Sequence, residues 1–306
     1  MSPDTVQPMI AHMHVKVIPL LDDISQRQLS AYNHTRLTPA LPSARWRATI
    51  AGDEAMRYRE LEFLESCRQE VAEEAAQAPI DPAEFITWFE GLRSTGPGQN
   101  DALFPWLANE ADLTSMRWFI AQELAGEAGF DDLVALSQLK LPYTAKLEMA
   151  RNYWDEMGRG IQANMHGLLL MRVADAIGIA TSEITEVTEA IALSNLMIGM
   201  ACNRTYAYHA IGALGVIELT APGRVSQVAA GLKRLGFSSE QRRYYDLHAA
   251  LDPLHSRAWN REVLVPLITE HPPVATALAE GALMRLKAGA RCFARFREHF
   301  AIDPTL

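Results

Sequence analysis

Apolar residues recur along the chain at every third or fourth position, in long stretches rich in Ala, Leu, Glu and Arg. Segments that alternate β-branched and polar residues are almost absent, so the pattern predicts an all-α fold. The predicted helices are Asp53–Ala76, Pro82–Leu92, Asp112–Glu127, Thr144–Met157, Ile161–Ile177, Glu183–Cys202, Arg204–Leu219, Ser239–Asn260 and Val274–Phe300.

Two of these helices begin with a recognisable cap, and one segment between helices has the composition of a linker. Asp81 precedes Pro82 at a helix start, and the run from Ser238 to Gln241 predicts a capping box. The stretch 94–100 is polar and rich in Gly and Pro, which ends a helix and suits solvent. We therefore expect residues 1–100 to form an N-terminal helical extension and residues 101–306 to form the main helical domain.

Composition and charge narrow the classes of function. The 306 residues carry 28 basic and 37 acidic side chains, and because the basic residues are dispersed we expect no nucleic-acid partner. The three cysteines stand far apart without a paired motif, which predicts reduced thiols and a cytoplasmic protein. No secretion leader is visible, and the most apolar stretch, Ile191–Cys202, is too short to span a bilayer, so we expect no membrane partner.

The clearest candidate chemistry lies on one predicted helix, which carries His248, Asp252 and His255. Their spacing places the three side chains within about 60° of one another around the helix, so they share one face. Two imidazoles and a carboxylate suit a divalent transition metal such as nonheme iron(II). The alternative is a pair of surface histidines beside an ion-paired Asp. Pro253 lies inside this group, where it removes a backbone hydrogen bond and predicts a kink.

Two other segments could complete a metal site. Glu218 follows an uncharged stretch, residues 210–217, where a buried carboxylate would require a cation. Glu156 precedes His166 by ten residues, a spacing that is poor for chelation on an unbroken helix. The two glycines between them permit a break that could turn His166 back. The Glu-x-x-His pairs of ferritin-like bundles are absent from the sequence.

The order Glu-x9-His, then Glu, then His-x3-Asp-x2-His resembles the heme-oxygenase-like diiron oxidases and oxygenases, also called iron-containing redox enzymes. The resemblance extends from Trp106 to Phe296, and its most similar segments are Asn152–Gly160 and His255–Trp259. It implies a heme-oxygenase-like seven-helix bundle that binds two Fe(II) ions and uses O2 as cosubstrate, with catalytic roles for three of the ligands, Glu156, Glu218 and His248. Carried over position by position, the implied ligands are Glu156, His166, Glu218, His248, Asp252 and His255.

Four further residues are candidates for substrate binding. Glu123 and Glu127 lie on the core-facing stripe of a predicted helix, where they could bind a substrate ammonium or a ligand imidazole. Ordinary ion pairs are the alternative for both. Tyr244 lies one turn before the first ligand of its helix. Arg204 is nearly in phase with Glu218 and could bind a substrate carboxylate, the alternative being a surface arginine at a helix end.

Together these features predict a nonheme diiron enzyme that uses O2 to oxidise a small molecule. The acidic stripe of Glu123 and the candidate Arg204 favour an amino-acid-derived substrate, so N-oxygenation is the first hypothesis. Oxidative C–C cleavage or desaturation of an amino or fatty acid is the alternative within the same chemistry, and a noncatalytic iron-binding protein is the alternative from another class. We also expect an electron donor, which the sequence does not identify, and, from the resemblance, a homodimer.

Overall fold

A computed structural model describes residues 22–127, 129–179 and 185–303. Within these ranges the regular elements are all helical and no strand occurs, which confirms the predicted all-α class. The α-helices are α1 (Asp23–Leu37), α2 (Trp46–Ala75), α3 (Pro82–Thr95), α4 (Leu103–Asn109), α5 (Leu113–Gly126), α6 (Phe130–Ser137), α7 (Tyr143–Glu156), α8 (His166–Ile177), α9 (Thr188–Cys202), α10 (Ala207–Arg234), α11 (Arg243–Trp259), α12 (Val265–Glu270) and α13 (Val274–Phe300).

Helix α10 lies at the centre of the bundle, where it packs against α13, α11, α4 and α9. Every residue from His209 to Val216 is buried, as expected for a helix that is surrounded by other helices. Glu218 is also buried on this helix, so the one carboxylate of the central segment lies in the core. The bundle thus places a charged group where burial would be costly without a compensating charge.

Two glycines allow α10 and α13 to approach each other closely. A Cβ atom on Gly212 would overlap the carbonyl group of Leu278, and a Cβ atom on Gly281 would overlap the backbone of His209. Since backbone atoms cannot move aside as a flexible side chain can, only glycine fits at these two positions. The contact fixes the axis of α10 and hence the position of Glu218.

The N-terminal helices pack on the bundle. Helix α1 contacts α2 and α9, α2 contacts α13, and α3 contacts α10 and α12. Helix α1 is joined to α9 by buried amides, because Asn33 donates to Asn195 Oδ1 at 2.9 Å and Asn195 donates to Gln26 Oε1 at 2.8 Å. The division of the chain at residue 100 stays a prediction, and residues 1–21 of the proposed extension lie outside the described ranges.

Several predicted helix bounds are wrong, and the largest error concerns α10. We expected it to end at Leu219, before Pro222, but it continues to Arg234 with the proline inside it. The missing hydrogen bond at Pro222 is outweighed by burial of the second half of the helix, where Val228 and Leu232 are in the core. Helix α8 begins at His166 rather than at Ile161.

Four helices, α1, α4, α6 and α12, were not predicted. Helix α1 buries the polar residues Gln26 and Asn33 beside Leu29, so it lacks an apolar stripe. Helices α4, α6 and α12 have 7, 8 and 6 residues and are too short for a clear period. The predicted start of α9 at Glu183 lies outside the described residues, within which this helix begins at Thr188.

The two predicted helix caps are both present. The Asp81 carboxylate accepts hydrogen bonds from the backbone N–H groups of Ala83 and Glu84. Ser238 and Gln241 exchange the two hydrogen bonds of a capping box, although α11 itself begins two residues later, at Arg243. Pro253 lies inside α11 as expected, and a π-helical turn, Asn260–Leu264, follows that helix.

Replacement of Gly212 by Ala is expected to destabilise the protein by about 1–3 kcal/mol, because the added methyl group overlaps a backbone carbonyl. The matched control is Gly91→Ala in α3, where the methyl group would meet no atom. There the higher helix propensity of Ala should stabilise by about 0.5–1 kcal/mol. Urea unfolding of both variants measures the difference, and equal midpoints would contradict the packing described for α10 and α13.

Candidate metal centre

Three nitrogen- and oxygen-bearing side chains of α11 lie on its inner face, as their spacing predicts. Asp252 and His255 are buried, and His248 is partly buried. The His248 Nδ1 atom lies 2.8 Å from the backbone oxygen of Tyr244, one turn earlier in the same helix. Because a carbonyl oxygen only accepts hydrogen bonds, Nδ1 carries the ring proton and donates it to this oxygen. Nε2 is left as the atom that can bind a metal.

A chain reversal between α7 and α8 brings Glu156 and His166 together. Helix α7 ends at Glu156, and the following Gly158, Arg159 and Gly160 all have positive φ angles, of 62°, 53° and 81°. Glycine adopts such angles readily, which is why the chain can turn sharply here. His166 therefore returns at the first residue of α8, with its Nδ1 atom 2.7 Å from Glu156 Oε2. The break expected from the sequence is present.

Glu218 completes the set from α10. One of its carboxylate oxygens accepts a hydrogen bond of 2.6 Å from the Asn152 side chain, and the other lies 3.5 Å from His255 Nδ1. On the opposite edge of the His255 ring, Nε2 lies 3.1 Å from Asp155 Oδ2. Asn152 and Asp155 belong to α7, so this helix orients groups on both α10 and α11.

The six predicted ligands form two groups that could each hold a metal ion, with donor atoms in each group within 4.8 Å of one another. The groups are adjacent, since members of both line one cavity, and within the first group His166 Nδ1 lies 3.1 Å from His248 Nε2. Buried His255 Nδ1 has no hydrogen-bond partner among the described residues, as expected for an atom that is free to bind a cation. One group is Glu156, His166 and His248, and the other is Glu218, Asp252 and His255.

The electrostatics of the two groups favour added positive charge. Burial, and then the nearby Glu218 carboxylate, raise the pKa of Glu156 well above its ordinary value and that of Asp252 to about 9. Burial alone would lower the pKa of His255, but the Glu218 and Asp155 carboxylates outweigh it and raise this pKa to about 10. The carboxylates therefore stabilise a cation at this point.

The other two imidazoles are neutral near pH 7. Burial is the largest cause that lowers the pKa of His166 and of His248 to about 4, followed by the charge of a neighbouring imidazole. A neutral imidazole has the lone pair that a metal requires. Three imidazoles and three carboxylates form the mixed nitrogen and oxygen donor set that suits iron, so the residues present fit two iron ions.

A cavity of about 110 Å³ lies beside the two groups. Glu156, His166, Glu218, His248 and Asp252 contribute to its wall, and apolar residues of α8 and α10 contribute part of the remainder. A second cavity of about 140 Å³ follows it. The two cavities are adjacent, because they share part of their lining, namely Glu127, Leu170, Ile217, Ala221, Val225 and Tyr244.

Three of the four predicted substrate-binding residues line one or both of these cavities. Glu127 and Tyr244 border both cavities, and Glu123 borders the second. The Glu123 carboxylate accepts a hydrogen bond of 2.6 Å from the Tyr245 hydroxyl group. Burial is the largest cause that raises the pKa of Glu123, to about 7. These residues are placed to contact a molecule that lies beside the metal ligands.

Arg204 lies elsewhere, which corrects the prediction of a substrate contact. Its guanidinium donates hydrogen bonds to the backbone oxygens of Leu136, Ser137 and Leu139, at the C-terminal end of α6. Arg204 belongs to a short 3₁₀ turn, Arg204–Tyr206, rather than to α10, so the helical phase that related it to Glu218 does not apply. It lines neither cavity.

The sequence did not identify two arginines that do line the second cavity, Arg224 and Arg285. They belong to α10 and α13, and no motif or short spacing relates them. It also gave Asp155 no separate role, although this residue precedes Glu156 directly. The position of Asp155 next to Glu156 was the signal available in the sequence. Two consecutive residues of a helix point in different directions, so they can contact different neighbouring helices.

The comparisons with known proteins agree with this geometry. A family model described as iron-containing redox enzyme matches residues 117–290, which is more than half of the chain and includes all six candidate ligands. The chain belongs to this family. The matched region of this iron-containing redox enzyme lies inside the span of the predicted resemblance, which runs from Trp106 to Phe296. Membership of the family also confirms that the fold is heme-oxygenase-like.

Among solved structures, the chain is similar to a CADD-like protein of unknown function from Nostoc punctiforme. The two share 13% sequence identity with a TM-score of 0.52, over 78% of this chain and 99% of the other. This likeness shows the fold. A search of curated proteins finds no match. Within the described residues of this iron-containing redox enzyme, none of the helices combines the length and the apolar character that crossing a membrane requires.

Replacement of Asp155 by Asn is expected to weaken iron(II) binding by about 10–100-fold, because the carboxylate that orients His255 loses its charge. The measurement is an anaerobic competition titration against a chelator. Asp175→Asn is the matched control, since Asp175 is exposed on α8 and takes no part in the centre. Equal affinities in the Asp155 variant and the wild type would contradict the orienting role.

Proposed function

We propose that this protein is a nonheme diiron oxygenase or oxidase that binds two Fe(II) ions and uses O2 to oxidise a small molecule. The observation that carries the proposal is the pair of adjacent donor groups, drawn from α7, α8, α10 and α11, that borders an internal cavity. Membership of the iron-containing redox enzymes supports the same conclusion. In this assignment Glu156, Glu218 and His248 are catalytic residues because they hold the ions in which the redox chemistry takes place.

Each donor group holds one ion in the proposal. Glu156, His166 and His248 bind the first, and Glu218, Asp252 and His255 bind the second. The ferrous ions supply electrons to reduce O2. The hydrogen bonds from Asn152 and to Asp155 and Tyr244 orient Glu218, His255 and His248 in these two groups.

The walls of the cavity orient the substrate and exclude water. Leu170, Ile217 and Val225 present apolar surface between the metal ligands and the second cavity. Tyr244 lies against the His248 ring, with 4.3 Å between ring centroids, and so limits the space beside this ligand. Apolar surface of this kind lowers the local dielectric constant and so strengthens the charged contacts that a substrate makes beside it.

N-oxygenation of an amino-acid-derived substrate is the reaction we propose first. Glu123 and Glu127 line the space beside the ligands, where their carboxyl groups can hold an amino group and accept its proton. The nitrogen gains one oxygen atom from O2, and the other leaves as water with two protons and two electrons from an external donor. The proposal therefore requires a separate electron donor.

Oxidative C–C cleavage or desaturation of an amino or fatty acid is the second candidate, and one observation favours it. Phe119, Phe293 and Phe296 line the second cavity and offer a surface that would suit an alkyl chain.

A cytoplasmic location and a homodimer are further proposals. The first rests on the scattered cysteines and the second on the family resemblance.

The test is anaerobic loading with iron(II), followed by exposure to O2 with a panel of amino acids and fatty acids. We expect two bound ions per chain and O2 consumption that depends on one class of substrate. His248→Ala should remove the ion of its group and abolish consumption, because one nitrogen ligand is lost. His271→Ala, in an exposed residue after α12, should behave as the wild type.

Two results would contradict the proposal. Retained substrate-dependent O2 consumption in His248→Ala would reject the assigned ligands. Iron binding that raises the melting temperature of the wild type, without substrate-dependent O2 consumption for any member of the panel, would favour a noncatalytic iron-binding protein. The products from an active substrate, identified by mass spectrometry, distinguish N-oxygenation from C–C cleavage.

A further inference from the structure

The second cavity contains two positively charged side chains that the catalytic proposal does not use. Arg224 of α10 and Arg285 of α13 both line it, together with three phenylalanines and several aliphatic residues. Arg224 also borders a third cavity, near the start of α4, whereas Arg285 does not. A partly buried guanidinium in such apolar surroundings loses hydration, and a second one nearby adds repulsion.

The neutral polar groups of this cavity have partners within the protein. The Gln122 side chain donates to the Thr185 carbonyl oxygen and accepts from the Val187 N–H group, at 3.3 and 2.8 Å. The Tyr245 hydroxyl group donates to Glu123. These hydrogen bonds satisfy Gln122 and Tyr245 without any bound molecule.

The two guanidinium groups lack a carboxylate partner among the described residues. Within the described ranges neither forms an ion pair with a carboxylate, and buried Arg285 Nε has no hydrogen-bond partner. Arg224 donates one hydrogen bond of 3.3 Å, to the Thr220 hydroxyl group, and its guanidinium lies 5.6 Å from the Phe293 ring centroid. A hydroxyl group and an aromatic face do not neutralise the charge.

The electrostatics give the same picture. Burial is the largest cause that lowers the pKa of Arg224, to about 9, and the charge of Arg285 is the next. Burial likewise lowers the pKa of Arg285. The Glu123 carboxylate of the same cavity acts on both pKa values in the opposite direction, but within the described ranges it forms an ion pair with neither arginine. One anion that contacts both guanidinium groups would stabilise the two charges together.

We propose that the second cavity is the anchoring site for the carboxylate of the substrate, which Arg224 and Arg285 bind through charge-assisted hydrogen bonds. This inference rests on the proposed function and adds the substrate class, an organic acid whose reacting end points away from its carboxylate. The acid extends along the lining that the two cavities share, past Ile217 and Val225, toward the metal ligands.

The position of Glu127 agrees with this orientation, whereas Glu123 lies in the same cavity as the arginines and accepts the hydrogen bond from Tyr245. Glu127 borders both cavities, between the arginines and the metal ligands. A substrate carboxylate at the two arginines and a substrate amino group beside Glu127 would each face a protein group of the opposite charge. The two ends of the substrate are therefore distinguished by the cavity itself.

The experiment measures binding of hexanoate and of hexanamide, its uncharged analogue of equal length, by isothermal titration calorimetry at pH 7. The full chain is used both without metal and after anaerobic loading with iron(II). In both forms hexanoate should bind at least tenfold more tightly than hexanamide. Arg285→Gln should weaken hexanoate binding by about 30-fold and leave hexanamide unchanged, because it removes one charged partner of the carboxylate.

Two further variants complete the design. Arg285→Lys keeps the charge and should retain part of the preference for hexanoate, which separates loss of binding from loss of folding. Arg57→Gln, in an exposed residue of α2, should bind both probes as the wild type does. Circular dichroism melting verifies that each variant is folded before its titration.

Equal binding of the two probes by the wild type would overturn the proposal, as would a preference for hexanoate that survives in Arg285→Gln. Hexyl phosphate provides a third arm, and if it binds tenfold more tightly than hexanoate, the carboxylate assignment is wrong. Because the metal-free titration needs neither iron nor O2, its failure is distinct from failure of the proposed function. An intact anion site in a protein without O2 consumption would reject only the oxygenase assignment.

Discussion

Repulsion among three buried carboxylates is the constraint on which this structure depends. Glu156, Glu218 and Asp252 come from three different helices and meet in the core of the bundle. Without compensating positive charge their ionised forms would oppose the packing of those helices. The imidazoles and amides around them hold the carboxylates in place but do not neutralise them all, so the fold of this region and its affinity for cations have one physical origin.

Much of the centre could be predicted because its parts are local in the sequence. The three ligands of α11 share a face through helical geometry alone, and the glycines after Glu156 permit the reversal that returns His166. The convergence of α7, α8, α10 and α11 could not be derived from periodicity. The family resemblance supplied this convergence, because it implies a three-dimensional arrangement of the ligands as well as their order in the sequence.

The errors have equally specific causes. Helix α1 buries amides rather than an apolar stripe, and α10 passes through Pro222 because tertiary burial outweighs one lost hydrogen bond. Arg204 was placed by assuming that it belonged to the helix of Glu218, whereas a 3₁₀ turn precedes that helix. Arg224 and Arg285 meet only through the packing of α10 on α13, which no short-range pattern contains.

The reversal after α7 has a consequence for the order in which the centre assembles. Glu156 and His166 are separated by a short loop, so bringing them together has a small entropic cost of loop closure. His248, which completes their group, is 82 residues from His166 along the chain and arrives only when α11 docks. Two of the three ligands of one binding group thus form a local folding unit, and the remaining ligands join it as the topology closes.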